Sequence, residues 1–269
     1  MFRKILIKID RILFFKPKMN YWATFYFNIR VLPLSQALKF PIYFYGKWSF
    51  KSLQGKIVIN SSDIKRGMFH FGADTASYFS SSLSTLSLHR NSLILISPLV
   101  RIGQGINICC YPNSVLELGE NCGLGDRVIV ICKKSIRIQA FTDITWDCQV
   151  TDYNSHYIIN TVSRQINNII KPVDIGMHCW ICNRTTIMPG TILPSWTIVA
   201  SNSLISKDYT KVLSEPSYAL LAGVPAKIVK TNQKRIYDIP TEEWLNTFFE
   251  NNTISDVQDT ILPINLNIK

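Results

Sequence analysis

Branched aliphatic residues return every six positions along the second half of this chain: Ile175, Ile181, Ile187, Leu193, Val199 and Ile205. Four places after each stand Cys179, Thr185, Thr191, Thr197, Ser203 and Tyr209, the first five of them small. One place after each come Gly176, Cys182, Met188, Pro194, Ala200 and Ser206. With aliphatics at about a third of positions, six in one frame arise by chance on the order of once in a thousand. A step of six fits neither an amphipathic helix, which repeats every 3.6 residues, nor a lone strand, which repeats every two. It fits a chain wound into a triangular coil. Each side is a short strand that points one aliphatic at the axis. Three sides make a rung of about 18 residues, and stacked rungs superimpose their apolar residues. Small residues are expected where the backbone turns a corner.

The same step recurs upstream with slips. Leu118, Leu124, Val130 and Ile136 form one run, Ile138, Ile144 and Val150 a second offset by two, and Ile102 and Ile108 a third. Residues 57–100 alternate apolar and polar (Ile57, Ile59; Leu93, Leu95) without a clean hexad and read as irregular first rungs. Between the two best runs, Thr151–Asp174 (TDYNSHYIINTVSRQINNIIKPVD) is polar, Asn-rich and out of register. It reads as a loop extruded from a rigid rod, a place where function tends to sit. Gly223-Val224-Pro225 ends the coil, and Thr241 before Glu242 and Glu243 suits the cap of a short helix. The expected organisation is an N-terminal cap over 1–56, a coil domain over 57–230 with its loop at 151–174, and a tail over 231–269.

Composition adds bounds. The 269 residues are 47% hydrophobic and 17% charged, the balance of a folded chain. Basic residues outnumber acidic ones by 29 to 18, and the excess is concentrated at the start: residues 1–56 hold eleven basic side chains and one acid, Asp10. Lys8, Asp10 and Arg11 interrupt the apolar run of MFRKILIKIDRILFF, so no signal peptide is evident. No apolar stretch approaches the roughly 20 residues of a bilayer span. Seven cysteines without regular spacing suit a reducing cytoplasm, where they act as small buried residues. Cys122, Cys148 and Cys179 fall in the small column. Cys179-x-x-Cys182 lacks the second cysteine or histidine pair of a zinc site, so no metal is expected. GLGDR at 123–127 lacks the GxxxxGK[ST] pattern and a following helix, and is not read as a phosphate loop.

Three stretches carry a family likeness: ITWDCQVTDYNSH (144–156), IGMHCWICNRTTIMPGTI (175–192), and IVASNSLISKDYT with ALLAGVPAKIVK (198–230). They resemble the hexapeptide-repeat acyltransferases, in particular galactoside/maltose-type O-acetyltransferases and relatives in surface-polysaccharide clusters. The likeness covers about residues 57–230. It implies an all-β fold, a left-handed parallel β-helix, and a homotrimer with active sites between subunits; spacing alone gives neither the hand nor the trimer. Cys182, Ala200-Ser201-Asn202 and Pro194-Ser195-Trp196 stand where the family has glycine-containing turns.

The implied reaction moves an acetyl group from acetyl-CoA to a hydroxyl of a sugar or surface-glycan precursor, directly, in a ternary complex. A hydroxyl that attacks a thioester must lose a proton, and a neutral histidine, with an unperturbed pKa of about 6.5, is the natural base at neutral pH. Of His70, His89, His156 and His178, only His156 lies in the extruded loop, and its place in TDYNSH matches the family's catalytic histidine. Asp152 is the matching acidic orienter, with Asn154 as the alternative and as a substrate contact. Trp180 matches the family's aromatic near the acceptor, and Asp147 of the Trp146-Asp147 pair is a candidate for acceptor hydroxyls. Ser201, Ser206, Lys207, Lys227 and Lys230 match positions that hold the coenzyme's pantetheine and phosphates. His178, at a variable hexad position, reads as structural or exposed.

Other functions are weighed against this one. N-acetylation of an amino sugar is the alternative within the class. A zinc carbonic anhydrase on the same fold needs three histidine ligands, and only His156 and His178 lie in the relevant coils. A non-catalytic β-helix scaffold is the reading outside enzymes. At the N-terminus, Phe2, Ile5, Leu6, Ile9 and Leu13 fall on one helical face with most basic residues elsewhere. That pattern, with fourteen aromatics in residues 1–56, reads first as a cap over the first rung. Peripheral contact with the inner face of a membrane through residues 1–18 is an added expectation for a cytoplasmic protein. Nucleic acid is not expected, because the charge sits on no nucleic-acid fold.

Overall fold

The computed structural model describes residues 18–73 and 82–251. Residues 18–233 and the C-terminal segment from 234 form two separate units. The first unit is the expected coil, a parallel β-helix whose strands stack into three sheets, with Ile42–Phe44 and Phe69–Phe71 as a separate two-stranded parallel pair. Face one holds Lys47–Leu53, Leu83–Leu88, Asn107–Cys110, Ile129–Cys132, Gln149–Thr151, Thr186–Ile187 and Leu204–Ile205. Face two holds Lys56–Ile59, Leu93–Ile96, Val115–Leu118, Ser135–Ile138, Val173–Ile175 and Ile192–Leu193. Face three holds Arg101–Ile102, Gly123–Leu124, Asp143–Ile144, Trp180–Ile181, Ile198–Val199 and Leu220–Gly223. From Leu83 to Ile205 the chain visits the faces in that order in each rung. Ala226–Lys230 turns back antiparallel on Leu220–Gly223 and ends the coil.

All six hexad aliphatics point to the axis, with Ile175, Ile181, Ile187, Val199 and Ile205 fully buried and Leu193 nearly so. The column four places on is buried as well, from Cys179 through Thr197 to Ser203. Tyr209, the large member of that column, is only 1% exposed and donates its hydroxyl to the Ala226 carbonyl. It fills the axis at the top coil, where no further rung would cover a small residue. The corner itself lies one place before the small column. His178, Arg184, Gly190, Trp196 and Asn202 all adopt positive φ, each three places after an inward aliphatic. A non-glycine residue there costs about 1 kcal/mol or more. Trp196 and Asn202 show how this chain turns its corners without the family's glycines.

The upstream slips have a simple cause. Leu86 pairs with Ile108 and Ile108 with Val130, so the lower rungs take 22 residues; Val130 pairs with Val150, a rung of 20, and Ile187 with Ile205, a rung of 18. The longer rungs use four-residue strands with two inward side chains each, such as Leu116 with Leu118 and Ile136 with Ile138. The rungs over 83–118 are thus regular but wider, and in the apolar strand LILI the inward residues are Ile94 and Ile96 rather than Leu93 and Leu95.

A helix over Tyr21–Val31 covers the open end of the coil, capped by Asn20, whose side chain accepts from Ala23 N. Phe27 meets Phe44 edge-on at 4.8 Å. Buried Asn28 donates to the carbonyl of Ile42 and accepts from its N–H, which satisfies the polar groups of the junction. The coil itself begins at Lys47, inside the segment expected to be cap, because Lys47–Leu53 is already the first strand of face one. The basic segment 1–17 lies outside the described residues. The second unit contains a helix over Ile239–Asn251 whose first turn is capped by Asp238, not by Thr241: its carboxylate accepts from the Thr241 N–H.

Candidate functional site

After Thr151 the chain leaves the corner between faces one and two and returns at Val173. The excursion is a narrow hairpin. Tyr153 bridges Ile170 and Ile159 bridges Ile166, both antiparallel, and the Asn160 side chain closes the tip by accepting from Val162 N and Ser163 N. His156 sits on the outgoing arm, exposed, and makes no hydrogen bond among the described residues. Asn154 beside it is exposed too and is tied by its N–H to the Ile169 carbonyl.

Asp152 has a different task from the one expected of a ring orienter. Its side chain is completely buried. One carboxylate oxygen accepts from Lys133 N at 2.7 Å, the other from Lys134 N at 2.6 Å and Ser135 N at 2.7 Å. Both oxygens are therefore committed to the backbone of the coil below. They hold the two-residue corner Lys133–Lys134 that shortens this rung, and they fix the root of the hairpin. The carboxylate positions the arm that carries His156, and nothing ties it to the imidazole.

The other candidates fall into two groups. Ser206 and Lys207 lie on the hairpin's own corner, above it, where the Lys207 carbonyl accepts from Ile192 N and its ammonium rests 5.2 Å over the Tyr209 ring. Trp180, Asp147, Ser201, Lys227 and Lys230 lie on face three or at its corner with face one. In a three-sided coil the corner between faces one and two is opposite face three. The chain therefore holds His156 and Trp180 on opposite sides of the coil. Trp180 stands half-buried between Asp143 below and Ile198 above. Ser201 donates to the Asn183 carboxamide oxygen at 2.5 Å. Lys227 and Lys230 are exposed on the terminal strand.

Asp147 is already engaged. Its two oxygens take Arg127 Nε at 2.7 Å and Nη2 at 2.6 Å, a fork-to-fork pair. That hydrogen bonding, aided by the Arg127 charge and by Arg184, holds its carboxyl below the usual range. The cysteines behave as packing residues. Burial pushes Cys122 and Cys179 to about 12 and Cys148 to about 11, far from a reactive thiolate. His178 is sandwiched between Phe141 at 4.9 Å and Trp196 at 4.1 Å, both near-parallel, and Tyr218 follows at 5.9 Å. This aromatic file runs up the corner between faces two and three, and its rings cover one another rather than offer a face to a ligand.

Among the described residues no helix is long and apolar enough to cross a membrane, and no group of three or more metal-ligating side chains occurs. No family model matches the chain. Curated proteins do match it. One is "Putative lipopolysaccharide biosynthesis O-acetyl transferase WbbJ" of Escherichia coli K12, 27% identical over 150 residues, with 53% of this chain and 71% of that one covered. Over about half of its length the chain is thus similar to a protein named as an O-acetyl transferase. The second relative is "Probable acetyltransferase" of Mycobacterium tuberculosis, 25% identical over 65% of this chain; the match spans about half of that protein, 53%. Among solved structures, the polySia-specific acetyltransferase NeuO is 17% identical, covers 76% of this chain and 98% of its own, and superimposes with a TM-score of 0.45.

Proposed function

We propose that this protein transfers an acetyl group from acetyl-CoA to a hydroxyl of a sugar or surface-glycan precursor, with His156 as general base. The observation that carries the reading is the hairpin. The coil buries nearly every side chain that points inward, yet at one corner it lifts a histidine into solvent on an arm whose root is fixed by a buried carboxylate. In the reaction the acceptor hydroxyl attacks the thioester carbon, His156 takes the hydroxyl proton, and the coenzyme A thiolate leaves and is protonated from the imidazolium. The names of the curated relatives support acetyl transfer in glycan synthesis. Lys207, Lys227 and Lys230 are cations suited to the coenzyme's phosphates, and Ser201 and Ser206 are suited to its pantetheine arm.

The opposite placement of His156 and Trp180 supports assembly as a homotrimer. A neighbouring copy would bring its face three, with Trp180, Lys227 and Lys230, against the hairpin corner of the first. Replacement of His156 by Ala tests the chemistry: kcat for acetyl transfer falls by roughly 10²–10⁴-fold, and a variant within twofold of wild type ends the role.

A peripheral membrane contact has its own support in the helix over Tyr21–Val31. One of its faces packs on the coil through Ala23, Phe27 and Val31, while the opposite face leaves Tyr21, Trp22, Phe25 and Ile29 46–76% exposed. Aromatic and apolar residues beside a basic segment suit the interfacial zone of an anionic bilayer. Co-sedimentation with anionic vesicles, lost when Trp22, Phe25 and Ile29 become Ser, is the expected result, and equal sedimentation of the variant contradicts it.

A further inference from the structure

The charges on this coil are distributed unevenly. On face three Arg101 meets Asp143 at 2.7 Å, reaching across Gly123, where a Cβ would stand 2.5 Å from the Asp143 oxygen. At the corner of faces three and one Arg127 meets Asp147. On face two Arg137 lies 3.2 Å from both Glu117 and Asp174. The corner between faces one and two follows another rule. From the foot of the coil up to the hairpin, its segments 89–92, 111–114, 133–134 and 152–172 contain one carboxylate, Asp152, which is committed to three backbone N–H groups; the next, Asp208, lies above the hairpin and faces Lys211. Lys133 forms no ion pair among the described residues. Its ammonium lies instead 5.0 Å over the ring of Tyr111 and 4.3 Å over that of Tyr153.

These residues form a file. Leu53 pairs with Leu88, Leu88 with Cys110 and Cys110 with Cys132, so His89, Tyr111 and Lys133 stand one above another on successive coils. Tyr153 continues the file from the next coil and opens the arm that carries His156. His89 stacks on Tyr111 at 5.8 Å, and Tyr111 meets Tyr153 at 5.7 Å. The phenol of Tyr153 is held below its ordinary value, first by a hydrogen bond from Ser155, and also by Tyr111 and the Lys133 charge. At the foot of the file lies an open cavity of about 410 Å³ lined by Arg30, Lys51, His89, Tyr26, Phe50 and Gln54, among others. Among the described residues no carboxylate lines it. Four coil steps at ~4.8 Å separate the level of this cavity from Tyr153, so the track is roughly 19 Å long.

We propose that this track, from the Arg30–Lys51–His89 cavity along Tyr111 and Lys133 to Tyr153, binds an acidic saccharide chain and delivers it to His156. Cations without carboxylate partners among the described residues select carboxylate-bearing sugars, and the tyrosines offer hydroxyls to sugar oxygens. A chain several residues long fits the length, whereas a lone monosaccharide would use only the upper end. The inference rests on the acetyltransferase reading for its direction, since His156 is where the chain is brought to react.

The test is calorimetric titration of the full chain with a galacturonate hexamer, with maltohexaose as its neutral counterpart, and with acetyl-CoA. Wild type is expected to bind the acidic hexamer at least about tenfold more tightly than the neutral one, and more weakly in high salt. Lys133→Gln and Lys51→Gln are each expected to weaken the acidic ligand several-fold, Lys133→Arg to retain it, and all three to keep their thermal midpoint and their acetyl-CoA affinity. Equal affinity for the two hexamers, no binding of either, or unchanged affinity in Lys133→Gln overturns the track. The two readings fail separately: acidic binding without acetyl-CoA binding removes the proposed transfer and keeps the track, and acetyl-CoA binding without acidic preference does the reverse.

Discussion

The coil stack and the hairpin that interrupts it use their residues in opposite ways. In the stack, Val150, Ile175, Ile181 and Ile187 are fully buried, each above its counterpart of the rung below. In the hairpin, Tyr157, Ile158, Val162 and Ile166 are 58–90% exposed, and a handful of backbone bonds hold the two arms together. Stability therefore resides in the axis. Reactivity can sit on an arm that buries little, because the axis does not need it. Asp152 is the point where the two meet: it belongs to the stack by burial and to the hairpin by position.

The comparison can be broken by substitutions that act on one side only. The largest effect is expected from His156→Ala, with the loss in kcat given above, equivalent to about 3–5 kcal/mol of transition-state stabilisation, and a thermal midpoint within about 2 °C of wild type; a large fall in midpoint would show that the arm supports the fold. Ile181→Ala should do the reverse, destabilising by about 2–5 kcal/mol in denaturant titration while the remaining folded fraction keeps its KM. Asp152→Ala should move both sides. Three backbone N–H groups lose a charged acceptor, so a loss of about 3 kcal/mol is expected, and proteolysis within 152–172 should accelerate. Unchanged proteolysis would separate Asp152 from the hairpin.

The smallest effect is expected at the Arg127–Asp147 pair, half in solvent, where Asp147→Asn should cost about 1 kcal/mol or less. The sign with pH is fixed by the direction of the shift. A carboxyl held below its unfolded value contributes stability above that value, about 3.9, and the contribution is lost as pH falls through the folded value. Wild type and Asp147→Asn should therefore converge in stability once the pH has fallen below the lowered folded-state value. Convergence already at neutral pH would mean that the pair contributes nothing.

Periodicity disclosed the stack because one column of aliphatics had to face one axis, and each of the six residues from Ile175 to Ile205 does so. It did not disclose the width of the lower rungs, since strands such as LILI are apolar on both faces and alternation cannot say which is inward. The turns Pro194-Ser195-Trp196 and Ala200-Ser201-Asn202 were legible as replacements of glycine-containing turns, but not that Trp196 and Asn202 themselves take the positive φ. The hairpin and His156 were legible as a break in register with a family-like motif. The role of Asp152 was not, because it depends on the N–H groups of Lys133, Lys134 and Ser135, about one rung earlier. The file of His89, Tyr111, Lys133 and Tyr153 was hidden for the same reason. Their alignment requires rungs of 22 and 20 residues, and no fixed step of six reveals it.

The most direct test of the central claim is calorimetric titration of the full chain with acetyl-CoA, beside the Lys207→Ala/Lys227→Ala double variant. Micromolar binding by wild type, weakened at least about tenfold in the double variant as expected for the loss of charge-assisted phosphate contacts, is the predicted result. Absence of acetyl-CoA binding by the wild-type protein would contradict the account and leave the coil as a scaffold or as a transferase of another acyl donor.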